Sequence, residues 1–110
     1  RHTGGCPGWY DHHRRIISTR RGQSIGQYKS VLAHELGHAA HRDTPTGNGH
    51  YDQRQERRAD EYAARLLINP SDFKASAIWH QGHLPAIADD LEVTKHLLKT
   101  WQSMAANRVA

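Results

Sequence analysis

The stretch Ala33-His34-Glu35-Leu36-Gly37-His38-Ala39 sets two histidines four residues apart inside a run with helical patterning. Four residues on an α-helix advance about 400°, so His34 and His38 share one face, one turn apart. Two imidazoles so placed can hold a zinc ion. Glu35 stands beside them as a base for an attacking water. The helix is expected over about 26–42, with Tyr28, Val31, Leu32, Leu36 and Ala39 toward the core. Gly37 costs such a helix about 1 kcal/mol relative to Ala. That cost points to close approach of a neighbouring element.

A hydrolytic zinc usually takes three protein ligands and keeps a fourth position open. The best third candidate is Glu56, in a second helical pattern expected over about 53–68. Asp52 and Gln55 fit a capping box there, Pro70 ends the segment, and Ala59, Ala63, Leu66 and Leu67 form a packing stripe. Asp60 lies one turn after Glu56 on the same face. A ligating histidine nearly always gives its other ring N–H to a carboxylate, carbonyl or water, and Asp60 can accept it. His41 is the rival ligand, but a third His on one short helix would crowd the metal from one side. The longer motif with a third His six residues on fails, because Thr44 stands there. For His12, His13, His50, His80, His83 and His96, surface or polar packing roles are expected.

Taken together, HELGHA at 34–39 and ERRADEYAARLLINP at 56–70 resemble the ImmA/IrrE metallopeptidases. The resemblance covers most of the chain. It implies a small zincin-like domain of the gluzincin type, with zinc on His34, His38 and Glu56 and with Glu35 as general base and acid. It also implies a link to mobile elements or stress responses, and cleavage of a helix-turn-helix repressor as the activity. One departure is Ile68-Asn69-Pro70, where Met-Pro is more usual.

The expected fold class is α+β: mostly helical, with a short antiparallel sheet before the HExxH helix. The strands are expected within 9–19, at Trp9-Tyr10 and Arg15 to Thr19, around a turn at Asp11-His12-His13. Thr44 to Gly49 reads as a loop. C-terminal helices are expected at about 72–80, 85–91 and 95–107, capped by Ser71 and Thr94, with Gly82 closing the first. Leu97, Leu98, Trp101 and Met104 form the apolar stripe of the last.

With 110 residues, the chain is long enough for one compact domain; the resemblance implies that residues 1–110 are a single metallopeptidase domain. Its mean hydropathy of −0.85 implies a thin core, which a bound metal would reinforce. The lone Cys6 excludes an internal disulfide and suits a reducing cytoplasm; a free thiol is its default reading. No apolar run is long enough to span a membrane, and no signal peptide is visible. The net charge of +4 comes with scattered basic residues, so a solvated surface is the plain reading, and a nucleic-acid partner is not expected.

The protein partner expected is a peptide substrate, docked as an added strand along Arg15 to Thr19. Tyr62, His80 and His83 are open candidates for stabilising the oxyanion. Two rival readings remain. Residues 87–99 could form a DNA-binding helix-turn-helix, although Lys95, His96 and Lys99 are a weak set for reading bases. A catalytically silent zinc regulator is the other, and the intact Glu35 argues against it.

Overall fold

A computed structural model describes residues 8–11, 16–19, 24–45 and 50–109. The elements in chain order are β1 (Gly8–Asp11), β2 (Ile16–Thr19), α1 (Ile25–Ala40), α2 (Gln53–Leu67), α3 (Pro70–Trp79), α4 (Leu84–Leu91) and α5 (Lys95–Val109). Cys6, His12, His13, Arg15 and residues 46–49 lie outside the described residues.

Among the residues whose burial is described, the core is built by helices. Ala33 of α1, Ala63 of α2, Ile87 and Ala88 of α4, and Leu97 and Leu98 of α5 form one buried cluster with Ile68 and Val93. Around it, Phe73 of α3 meets Trp101 of α5 with ring centroids 4.7 Å apart. The expected α+β class is therefore corrected to a small helical domain. The strands that are described run four residues each, paired antiparallel with Gly8 opposite Thr19 and Asp11 opposite Ile16. A single hairpin of that length is no independent sheet layer. It lies against α1, while the buried cluster lies between helices.

Local chemistry explains where the helices begin and end. Ser24 caps α1 by accepting from the Gln27 N–H. Asp52 caps α2, and the Asp52–Gln55 capping box is formed in both directions. The Gln55 side chain also donates to the Thr44 carbonyl, which ties the α1–α2 connection to the start of α2. Asn69, not Ser71, caps α3: its side chain accepts from the N–H groups of Ser71 and Asp72, and Pro70 takes the first helical position. The departure at Ile68-Asn69-Pro70 is thus a helix cap. Gly82, at φ +78°, donates back to the Ala77 carbonyl and closes α3. Thr94 accepts from the Leu97 N–H at the start of α5.

The buried face of α1 differs from the apolar stripe expected. Ser30, Ala33, Glu35, Gly37 and His38 are buried, while Leu36 is exposed. Close helix crossing is the cause. A Cβ added to Gly37 would stand 2.9 Å from the Ala59 Cα and 3.0 Å from the Ala59 carbonyl oxygen. Small residues let α1 and α2 touch backbone to backbone, and that contact selects the face. On α2 the same logic buries Ala59, Ala63 and Ala64 and leaves Leu66 exposed.

Candidate metal and catalytic site

The Gly37–Ala59 crossing sets the α2 residues on either side of Ala59 over the motif turn of α1. Glu56 lies three residues before Ala59 and Asp60 one after it, so both face α1. Glu56 Oε1 stands 2.6 Å from His38 Nε2 and 3.2 Å from His34 Nε2. The two Nε2 atoms are 3.1 Å apart. His34, Glu35 and His38 also offer ligand atoms within 4.8 Å of one another. Glu56 is the tighter third partner, because its oxygen touches both imidazoles directly.

The outer nitrogens show what the inner ones are for. His34 Nδ1 is 2.7 Å from Asp60 Oδ1, and His38 Nδ1 is 2.8 Å from Asp43 Oδ2. An ionised carboxylate only accepts, so each Nδ1 carries the hydrogen and donates it. In the neutral ring this leaves the lone pair on Nε2. Two lone pairs and a carboxylate oxygen then converge within 2.6–3.2 Å. Such a set repels itself unless a cation sits among the three atoms. Ligands of a tetrahedral zinc bound at about 2.0–2.1 Å stand about 3.3 Å apart; the 3.1 and 3.2 Å edges are near that spacing, while the 2.6 Å His38–Glu56 edge would open to admit an ion.

Without a metal, a proton plays the cation's part. Burial alone would depress the His34 pKa, but hydrogen bonds and charge from Asp60 and Glu56 push it up to about 10. The same hydrogen bonds from His34 and His38 pull Glu56 down to about 2, against its partial burial. Burial would raise Asp60, yet its bonds to His34 and His96 hold it below the usual carboxylate value.

Asp60 meets His34, one of the two ring partners its spacing allowed. Four neighbours of the site escaped the sequence reading. Asp43 follows the end of α1, where Arg42 adopts a left-handed φ of 54° and the Asp43 N–H returns to the His38 carbonyl at 2.9 Å. That reversal tucks the Asp43 carboxylate under His38, 3% exposed, with Arg58 on its other oxygen at 2.8 Å. Tyr51 stacks on the His38 ring at a centroid distance of 3.8 Å and 10° between planes. His96 of α5, for which a surface or polar packing role is expected, has its side chain 71% exposed and sits 2.7 Å from Asp60 Oδ2. An acid beyond a helix end, five residues after His38, was the available signal for Asp43. Nothing local flagged Tyr51 or His96.

His41, the rival ligand, turns its Nδ1 to the Gly37 carbonyl at 2.8 Å and meets Tyr62 edge-on. His80 lies 3.4 Å from Asp90, and His83 precedes α4. None of Tyr62, His80 and His83 lines the cleft at the site. That cleft, about 420 Å³, is walled by His34, Glu35, Glu56 and His96, with Val31 and Leu97 as apolar sides. A roomier hollow of about 510 Å³ lies between the start of α1 and the α4–α5 connection. It brings no imidazole to its walls, so chemistry rather than volume locates the site. Glu35 is 5% exposed at the cleft wall.

A helical domain that converges two imidazoles one turn apart, with a buried glutamate between them in sequence, has the make-up of an HExxH-type metallohydrolase. The family model for the IrrE N-terminal-like domain, Peptidase_M78, matches residues 8–100, and the chain belongs to that family. Its function is therefore metallopeptidase-like. No curated protein and no solved structure matches the chain.

Proposed function

We propose that the protein is a zinc-dependent endopeptidase. The zinc would be held by His34, His38 and Glu56, with Asp60 and Asp43 orienting the two rings. The observation that carries this reading is the convergence of three acceptor atoms within 2.6–3.2 Å, each imidazole being held from behind by its own carboxylate. Bound zinc supplies Lewis-acid chemistry, lowering the pKa of water and polarising a carbonyl.

The chain's own residues do the rest. Glu35 Oε takes the proton as water adds to the peptide carbonyl, and returns it to the leaving amine nitrogen. It is 5% exposed, so it stands at the cleft wall largely shielded from bulk water. Val31 and Leu97 give the cleft an apolar side for a substrate side chain.

The proposed substrate is a helix-turn-helix repressor, cut at an exposed extended segment that adds as a strand along β2. A cytoplasmic setting accords with such a partner. Among the described residues no helix is long and apolar enough to cross a membrane. The DNA-binding alternative loses support because the first turn of α5 faces the site. His96 bonds Asp60 at the ridge of the cleft, and Leu97 and Leu98 are buried, so that turn is built into the site.

The test is the Glu35→Gln protein. It should keep one zinc per chain and lose hydrolysis, because Gln cannot take the proton. Used as a trap, it should retain an intact repressor identifiable by mass spectrometry. Equal cleavage by the two proteins would remove Glu35 from the mechanism. Absence of zinc from the wild-type protein would refute the metal assignment.

A further inference from the structure

Two hollows meet at the site. The cleft already described lies on one side, and a second hollow of about 380 Å³, with Tyr51, Arg57 and Thr100 on its walls, lies on the other. Glu56, Asp60 and His96 line both, so these three form the ridge between them. Glu56 and Asp60 are already engaged with imidazoles. His96 is the ridge residue left over: its side chain is 71% exposed, and only its Nε2 is used, on Asp60.

That bond fixes the ring's chemistry. The Asp60 carboxylate accepts, so His96 Nε2 carries the hydrogen, and in the neutral ring Nδ1 keeps a lone pair. No partner meets Nδ1 among the described residues. An extended peptide lying from one hollow to the other has to cross the ridge, and it presents main-chain N–H groups along its length. We infer that His96 is a substrate-binding residue, whose Nδ1 accepts a main-chain N–H of the peptide as it crosses between the two hollows. Asp60 holds the ring in place for that contact. The assignment rests on the peptidase reading and names a contact on α5, an element that brings no residue to the motif pair.

The experiment uses the zinc-loaded protein and a tetrapeptide hydroxamate, with companions N-methylated at one amide at a time. Binding is read by calorimetry for wild type, His96→Ala and His96→Gln, after the zinc content of each has been measured. A hydrogen bond to an accessible amide is worth about 0.5–1.5 kcal/mol, which is about 2- to 10-fold in affinity. His96→Ala should weaken the parent hydroxamate by that factor, and His96→Gln, which keeps an acceptor oxygen, should recover part of it. Methylation at one amide should weaken binding to wild type by the same factor and leave binding to His96→Ala unchanged.

Equal affinities of wild type and His96→Ala for the parent would overturn the contact. So would N-methyl penalties that are the same in both proteins. Loss of zinc from the His96 variants would overturn it too, since His96 would then act on the metal site through Asp60. A wild-type protein holding no zinc would bring down the peptidase reading itself, and the zinc measurement separates that failure from the others.

Discussion

Gly37 and Ala59 are in backbone-level contact: a methyl group on Gly37 would stand 2.9 Å from the Ala59 Cα. The glycine inside the motif is thus what lets α2 deliver Glu56 and Asp60 to the two imidazoles. Gly37→Ala sets two effects against each other. Helix propensity gains about 1 kcal/mol, while overpacking costs about 1–3 kcal/mol. The obstacle is helix backbone, which cannot rotate away, so the loss should win. The expected outcome is a lower melting temperature and weaker zinc binding together, since both depend on the crossing distance. Thermal unfolding and a competitive zinc titration check it. A Gly37→Ala protein with wild-type zinc affinity would mean the crossing does not set the site.

His38 is fully buried and its outer nitrogen rests on Asp43, which Arg58 holds from the other side. Removing Asp43 leaves a buried imidazole N–H without its acceptor, and the Arg58 side chain loses its partner. Loss of a carboxylate behind a ligand histidine typically costs about 10–100-fold in metal affinity or activity. Asp43→Ala should fall in that range, measured by zinc competition against a chromophoric chelator. Arg58→Ala should cost less, because it leaves the Asp43–His38 bond in place. Equal losses from the two variants would show that Arg58, rather than Asp43, orients the ring.

Legibility in the sequence followed the range of each interaction. His34, Glu35, His38, Glu56 and Asp60 stood out because helical spacing is a local rule, and both helices obey it. The Asp52–Gln55 capping box was legible for the same reason. Asp43 was not, because it reaches His38 only through the left-handed turn at Arg42, a conformation that few non-glycine residues adopt. His96 and Tyr51 arrive from outside both motif strings, one on α5 and one in the segment before α2. Hydropathy misjudged the packing faces of α1 and α2. It put Leu36 and Leu66 inside, where both are exposed, and passed over Ala33; Ala59 and Ala63 of the expected stripe, and the close approach at Gly37, stand as read. It also gave the strand pair more weight than two four-residue strands carry in a core made by helices.

Glu56 and His41 give opposite expectations at the metal. Glu56 Oε1 touches both Nε2 atoms, whereas the His41 ring folds back onto the Gly37 carbonyl. Glu56→Ala should lose most of its zinc when the metal is limiting, and His41→Ala should keep it. Elemental analysis after dialysis against trace zinc decides the matter. Full occupancy in Glu56→Ala with loss in His41→Ala would reverse the ligand assignment.

The last expectation concerns the metal-free protein and pH. His34 titrates near 10 in the fold against 6.5 when free, a raised value. Its stabilising contribution is therefore complete below about 6.5 and disappears as pH rises through about 10. Glu56 titrates near 2 against 4.5, a lowered value, and Asp60 is lowered as well. Their contributions are complete above about 4.5 and are lost as pH falls toward 2. The two windows overlap between about 4.5 and 6.5, so the chelator-treated protein should be most heat-stable there. Glu56 is half-exposed, and solvent screening makes the acid side of that maximum the shallower one. Zinc reverses the high-pH side, because it takes the place of the proton on His34 and binds more tightly as that proton leaves. The rise in melting temperature on adding zinc should then grow from pH 6 to pH 8. Melting curves across pH, with and without zinc, measure both trends. A metal-free protein that keeps gaining stability from pH 6.5 to 10 would show that the His34 proton does not bridge Asp60 and Glu56.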